Sequence, residues 1–250
     1  LDAFLQELPL MRAAGDRSGE AFALNSIGQA YYSLGEGQKA LGYHNQSLHI
    51  FRVIDNRSGE ASALNNIGLV YDSLGDKRKA LDHYNQSLPI FRVVGDRNGE
   101  AALLNNIGSA YDSLGEKQKA LDHYNQSLHM SRAAGNRNAE GALLSNIGLL
   151  YYFLGENQKA LDHFNQALSL RRAIGDRGGE AITLNNIGGT YLFLGEMRKA
   201  LDYYSQALPL QRAAGDRRAE AATLNNIGRA CDLLGDKQKA LDYYDQALRL

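Results

Sequence analysis

The stretch Gly15-Asp16-Arg17-Ser18-Gly19-Glu20-Ala21-Phe22-Ala23-Leu24-Asn25-Ser26-Ile27-Gly28-Gln29-Ala30-Tyr31-Tyr32-Ser33-Leu34-Gly35-Glu36 decides the fold, because it returns along the chain at a fixed interval. Its Ile-Gly pair recurs as Ile27-Gly28, Ile67-Gly68, Ile107-Gly108, Ile147-Gly148, Ile187-Gly188 and Ile227-Gly228, a period of 40 residues in six copies without insertion. A period of this size marks an array in which each unit buries its apolar face on the next. Gly35, Gly75, Gly115, Gly155, Gly195 and Gly235 each follow Leu and precede Asp or Glu. That order spells a helix stop, with glycine free to turn left-handed, and then an acid at the positive end of a new helix. Halfway between, Gly15, Gly95, Gly135, Gly175 and Gly215 precede Asp16, Asp96, Asn136, Asp176 and Asp216, all good N-cap residues. Each copy therefore reads as two helices of about 17 residues, roughly 25 Å long.

In the first copy, helix A is expected from about Arg17 to Leu34, with Leu24, Ile27, Gly28, Tyr31 and Leu34 on one side. Helix B, from about Gly37 to Ile54, gathers Ala40, Leu41, His44, Ser47 and Leu48. Tyr84, Tyr124, Phe164, Tyr204 and Tyr244 stand at the position of His44 in later copies. Gly28 and Ala40 let two backbones approach while Leu and Tyr side chains interdigitate. The boundaries follow: residues 1–14 are helix B of a truncated repeat, 15–54, 55–94, 95–134, 135–174 and 175–214 are full repeats, and 215–250 is a last repeat truncated in helix B, all within one array over 1–250. Leu1 enters mid-repeat and Leu250 stops inside another, with no polar capping helix at either end. The expectation is a fragment of a longer protein, or an array whose apolar ends stack on neighbouring copies.

The order Leu24, Ile27, Gly28, Tyr31, Ala40, an aromatic at the equivalents of position 44 and a small residue at 47 resembles the tetratricopeptide repeat pattern, with Leu where that pattern often has Trp. It departs in its period, 40 residues against the usual ~34, and in lacking a proline that ends helix B. The added residues lengthen each helix by nearly a turn, and the Gly-Asp-Arg-x-Gly-Glu-Ala-x-x-Leu-Asn-Asn-Ile-Gly run is similar to the long-helix subclass of spindle-orientation adaptors and bacterial signalling proteins. The resemblance implies an all-α fold, a right-handed α-solenoid of antiparallel helix pairs forming a superhelix, and a peptide-binding scaffold rather than an enzyme.

Composition narrows the partners. A formal net charge of -1, from 27 Lys plus Arg against 28 Asp plus Glu, offers no surplus for nucleic acid or anionic lipid. Only one cysteine is present, Cys231, which excludes an intrachain disulfide and points to a reducing, cytoplasmic setting. No apolar run approaches the ~20 residues of a membrane span. The array is read as non-enzymatic, with no cofactor and no metal, since no non-repeating cluster of reactive groups stands out.

In a stack of such pairs helix A lines the concave surface, so candidate ligand contacts are positions 22, 26, 29 and 33, flanked by 25 and 32, with their equivalents. Position 26 reads Ser26, Asn66, Asn106, Asn146, Asn186 and Asn226, and position 25 reads Asn25, Asn65, Asn105, Ser145, Asn185 and Asn225. An asparagine column offers a donor and an acceptor at each step, which suits the backbone of an extended peptide; equally, the amides suit cross-linking of neighbouring A helices. The first half of the groove carries Ser33, Ser73, Ser113, Asp72 and Asp112, the second Leu149, Tyr152, Phe153, Ile182, Leu192, Phe193 and Leu233, with Arg229 in the last copy. Phe153 and Phe193 either anchor apolar partner side chains or pack between adjacent A helices.

The remaining features point to structure. His83, His123 and His163 recur at repeat spacing, too far apart to share a metal, and suit surface or inter-repeat packing. Arg17 with Glu20, and Arg12 and Lys39, with their equivalents, suit ladders of surface ion pairs. Cys231 falls in the Tyr31 column as a partly buried thiol. Pro9, Pro89 and Pro209 fall inside helix B on the outward face and are expected to bend or interrupt it. The expected partner is a protein or peptide, with end-to-end self-association possible; the alternative role is a structural or self-assembling regulatory arm of a larger signalling protein, and RNA reading would ask for a basic groove.

Overall fold

Caps place the helix ends in the computed structural model, which describes residues 1–250 except for the side chains of Asp2 and Ala3. The carboxylate or amide oxygens of Asp16, Asn56, Asp96, Asn136, Asp176 and Asp216 each accept from the backbone N–H three residues on, holding the first turn of every helix A. Gly35, Gly75, Gly115, Gly155, Gly195 and Gly235 turn the chain at φ between 76° and 85°, where a Cβ would be strained. The other break behaves alike except in the second copy, where Asp55 holds φ 52° in place of glycine. The helices are α1 (Asp2–Ala14), α2 (Arg17–Ser33), α3 (Gly37–Val53), α4 (Arg57–Ser73), α5 (Lys77–Val94), α6 (Arg97–Ser113), α7 (Lys117–Ala133), α8 (Arg137–Phe153), α9 (Asn157–Ile174), α10 (Arg177–Phe193), α11 (Met197–Ala214), α12 (Arg217–Leu233) and α13 (Lys237–Leu248). No strand occurs among the described residues. The fold is an α-solenoid of antiparallel helix pairs, even-numbered helices being A and odd-numbered ones B.

The chain divides into two compact units, Leu1–Met130 and Ser131–Leu250. In the first, α2 packs on α3 and α4 on α5, and the A helices α2, α4 and α6 also touch in succession. Ala21, Leu24, Ile27, Ala40, Phe51, Leu64, Ile67 and Val70 form its sealed core. Ser47, Ser87 and Ser127 donate their hydroxyls to the carbonyls of Ala21, Ala61 and Ala101 at 2.7, 2.8 and 2.7 Å, pinning each helix B to its helix A. In the second unit Ala167 and Ala207 hold that place, and α8, α10 and α12 again touch in succession around Phe164, Leu184, Ile187, Tyr204 and Ile227. The crossing glycines work as expected: a Cβ at Gly28 would lie 2.7 Å from His44 Cε1, and one at Gly148 2.6 Å from Phe164 Cε1.

Pro89 and Pro209 sit exposed within α5 and α11, which run on unbroken through Val94 and Ala214, and Pro9 likewise lies exposed within α1. The interrupted-helix alternative is therefore not what forms. Each missing N–H falls on a solvent-facing side, where water satisfies the freed carbonyl.

One substitution in the repeat is costly. Phe51 and Phe91 fill the space beside Gly59 and Gly99, but the fourth copy places Arg171 there, 9% exposed, with long hydrogen bonds of 3.4 Å to Gly141 O and Ser145 Oγ and a 3.5 Å contact to Asp176. Its Nε has no partner among the described residues. Burial pushes its pKa down. A buried charge so weakly compensated favours an apolar replacement, and Gly179 leaves the same room that Gly59 gives Phe51. Arg171→Phe is expected to raise stability by about 1–2 kcal/mol, read as an increased urea midpoint at unchanged m-value.

Candidate functional site

The candidate surface is the face of α8, α10 and α12 that points away from their B partners. Phe153 and Phe193 are each 65% exposed, Ile182 55% and Leu233 51%. Tyr152, half-buried, stands between the two phenylalanines, its ring edge-on to Phe153 at 5.4 Å and to Phe193 at 5.7 Å. Both phenylalanines thus pack against Tyr152 and still stay mostly exposed. Leu149 and Leu192 are half-buried beside them, and Arg229 is exposed, with no ion-pair partner among the described residues. In the first unit the corresponding face is polar: Ser33, Ser73 and Ser113 are exposed, and Asp72 and Asp112 are ion-paired to Lys77, at 2.9 Å, and to Lys117.

The asparagine column is half-buried and mostly engaged. Asn66 Nδ2 donates to Asn25 Oδ1 at 3.2 Å, Asn106 Nδ2 to Asn65 Oδ1 at 3.1 Å, and Asn226 Nδ2 to Asn185 Oδ1 at 3.4 Å. These three amides therefore cross-link their A helices to the ones before and keep a second N–H for another acceptor. Asn146 is half-buried within the same column. Asn186 differs, because its counterpart one repeat back is Ser145. That hydroxyl is buried, donates to Gly141 O at 3.1 Å and accepts from Arg171. The Asn186 side chain is left with no partner among the described residues.

Leu149, Tyr152, Asn186, Leu192, Phe193, Asn226 and Arg229 line one cavity of about 250 Å³, joined by Asn185, Gly189, Phe164 and Tyr204. Asn185 and Gly189 stand at the equivalents of positions 25 and 29, expected to line the groove, whereas the sequence places Phe164 and Tyr204 only in the core. Phe164 and Tyr204 belong to the core column of helix B, and the absence of a side chain at Gly189 leaves space above Tyr204.

The other recurring groups are architectural. His83, His123 and His163 stack on Tyr71, Tyr111 and Tyr151 of their own repeat at 5.4, 5.5 and 5.4 Å, so their packing is within a repeat rather than between repeats. Burial lowers their pKa values. Arg12 Nε holds the buried Glu20 at 2.7 Å, as Arg52 holds Glu60 at 2.8 Å and Arg172 holds Glu180 at 2.7 Å, tying the end of one repeat to the start of the next. Cys231 is buried, which raises its thiol pKa and leaves it a poor nucleophile. Among the described residues no three His, Cys, Asp or Glu side chains cluster as metal ligands would, and no helix is long and apolar enough to cross a membrane.

Stacked antiparallel helix pairs define a helical-repeat protein. The tetratricopeptide repeat family matches residues 19–92, 139–213 and 179–250, and a second description of the same repeat matches 101–133. The chain belongs to the tetratricopeptide repeat family. Comparison with curated proteins gives no match. Among solved structures it is similar to the STAND signal-transduction ATPase with a tetratricopeptide repeat sensor, PH0952 from Pyrococcus horikoshii, at TM-score 0.82 and 20% identity over 98% of this chain and 38% of that one. It is similar to BtubC (BKLC) from P. vanneervenii at TM-score 0.76 and 20% identity, over 85% and 90% of the two chains. Aspartyl phosphate phosphatase F from Bacillus subtilis follows at TM-score 0.74 and 15% identity, over 98% and 73%. At these identities the likeness concerns the fold.

Proposed function

We propose that the chain is a non-enzymatic scaffold whose A-helix face holds an extended peptide or partner segment, with Phe153 and Phe193 as apolar anchors and the second N–H of the asparagine amides as backbone donors. The observation that carries this is the pair of rings, each 65% exposed, braced by Tyr152 on the rim of a cavity. A soluble repeat protein gains nothing in stability from two solvent-facing phenylalanines, whereas a partner that covers them recovers the transfer free energy of both. The single buried thiol and the fold shared with a STAND sensor and with aspartyl phosphate phosphatase F support placing the scaffold in cytoplasmic signalling, in the 40-residue long-helix subclass.

Phe153→Ser combined with Phe193→Ser is expected to weaken retention of a nonapeptide library at least about tenfold, the equivalent of ~1.4 kcal/mol, with little change in melting temperature. Retention unchanged, or a fall in melting temperature typical of a core substitution, would overturn the assignment. The competing role, a self-assembling arm, draws on exposed Leu241 and Leu248 of α13, at 58% and 84%. It predicts light scattering that grows with protein concentration and is abolished by Leu241→Glu.

A further inference from the structure

Position 29 of the repeat, the groove residue above the helix B aromatic, reads Gln29, Leu69, Ser109, Leu149, Gly189 and Arg229. In the second copy Leu69 stands over Tyr84, and in the third copy Ser109 stands over Tyr124. In the fourth, Leu149 stands over Phe164, which has no hydroxyl to satisfy. In the fifth, Gly189 stands over Tyr204, which is fully buried, and the Tyr204 hydroxyl has no partner among the described residues. The space above is real, since a Cβ built at Gly189 would come no nearer than 3.7 Å, to Tyr204 Oη itself. A buried hydroxyl without a partner is costly, and Tyr204 here belongs to the lining of a cavity of about 250 Å³.

The cavity has a definite polarity. Tyr204 offers an O–H, Asn186 a free amide, and Arg229 a permanently charged guanidinium with no ion pair. No aspartate or glutamate lines it. Leu192 and Phe193 supply apolar walls. Donors and one cation without a counter-charge select an anionic acceptor, because hydrogen bonds to a charged oxygen are roughly twice as strong as neutral ones.

We propose that this cavity receives one acidic side chain of the bound segment, its methylenes against Leu192 and Phe193 and its carboxylate accepting from the Tyr204 hydroxyl, the Asn186 amide and the Arg229 guanidinium. This assignment rests on the peptide-holding role above and specifies its chemistry at one position.

The test uses immobilised full chain and three pools of acetylated, amidated nonapeptides drawn from Ala, Leu, Ser and Thr, with Glu, Gln or Leu fixed at the centre. The Glu pool is expected to be retained about tenfold more strongly than the Gln pool. Gly189→Leu, which introduces the side chain found at Leu69 and Leu149, should bring the Glu pool down to the level of the Gln pool. Tyr204→Phe, which copies Phe164, and Arg229→Gln should each cut the Glu preference severalfold without lowering the melting temperature, so the test survives even if Gly189→Leu folds poorly. Equal retention of the Glu and Gln pools, or a Glu preference untouched by Tyr204→Phe and Arg229→Gln, overturns the acid receptor. In that case the peptide-holding role stands if Phe153→Ser with Phe193→Ser still abolishes retention. Failure of the wild-type chain to retain any pool defeats both.

Discussion

Lowering the pH from 7.5 to 4 is expected to remove about 3 kcal/mol from the stability of the wild-type chain through His44 alone. Its ring is sealed between α2 and α3, where desolvation depresses its pKa from 6.5 to about 4. Nδ1–H donates to Asn25 Oδ1 at 2.8 Å, and Nε2 is buried without a partner among the described residues. Protonation would therefore place a charge and an unanswered N–H in the core. Between pH 6.5 and about 4 the unfolded chain carries the proton and the folded chain does not, so stability is complete above 6.5 and declines as the pH falls through this window. The half-buried His83, His123 and His163, also depressed by burial, act in the same direction. Glu20, held low by Arg12, adds a loss at more acid pH. Subtracting the urea-derived stability curve of His44→Tyr, the residue found at Tyr84 and Tyr124, isolates the His44 share. Parallel curves for the two proteins would show that His44 does not titrate as its burial demands.

Gly148→Leu is expected to destabilise the second unit by more than about 3 kcal/mol, and Gly148→Ala by about 2 kcal/mol. A single carbon added at Gly148 meets Phe164 at 2.6, 2.7 and 3.1 Å, at Cε1, Cδ1 and Cζ. Phe164 is fully buried and cannot swing aside without opening the contact between α8 and α9. The helix-propensity gain of alanine over glycine, about 1 kcal/mol, offsets only part of that overlap. The contrast with Gly189, one residue beyond the equivalent Gly188, makes the test sharp. At Gly189 a Cβ finds ordinary contact distance, whereas at Gly188 it lies 2.7 Å from the Tyr204 ring. Differential scanning calorimetry of Gly148→Ala beside Gly189→Ala should show a clear loss for the first and little for the second. Equal melting temperatures would mean that the helix pairs are looser than the close approach of Gly148 and Phe164 implies.

Sequence alone settled the helix order. Capping residues, left-handed glycines and the 3.6-residue spacing of Leu24, Ile27 and Tyr31 act over a few residues, and the exact repeat multiplied their signal six times. The core column of Ala40, Leu41, His44, Ser47 and Leu48 was legible for the same reason, and all five are buried. The asparagine column was legible as a column, but its use was not. Whether Asn66 faces a guest or reaches back to Asn25 depends on how far apart successive A helices lie, a distance set by packing across 41 residues of chain. The prolines show the same limit from the other side, since local rules set the cost of Pro89 and Pro209 while solvent exposure decided that the helices continue.

The polar floor of the cavity belongs to tertiary structure. In the sequence Gly189 is one more small residue, Tyr204 one more core aromatic, Ser145 a minor variant of asparagine and Arg171 a member of a charged helix end. Only when α8 to α12 stack does Gly189 leave space above the buried Tyr204 hydroxyl, Ser145 meet Arg171 and Asn186 lose its partner. Periodicity records what every repeat shares, namely which face is buried and where each helix stops. A binding site arises where one repeat departs from the others, and the consequence of a departure is set by the neighbours that packing brings against it.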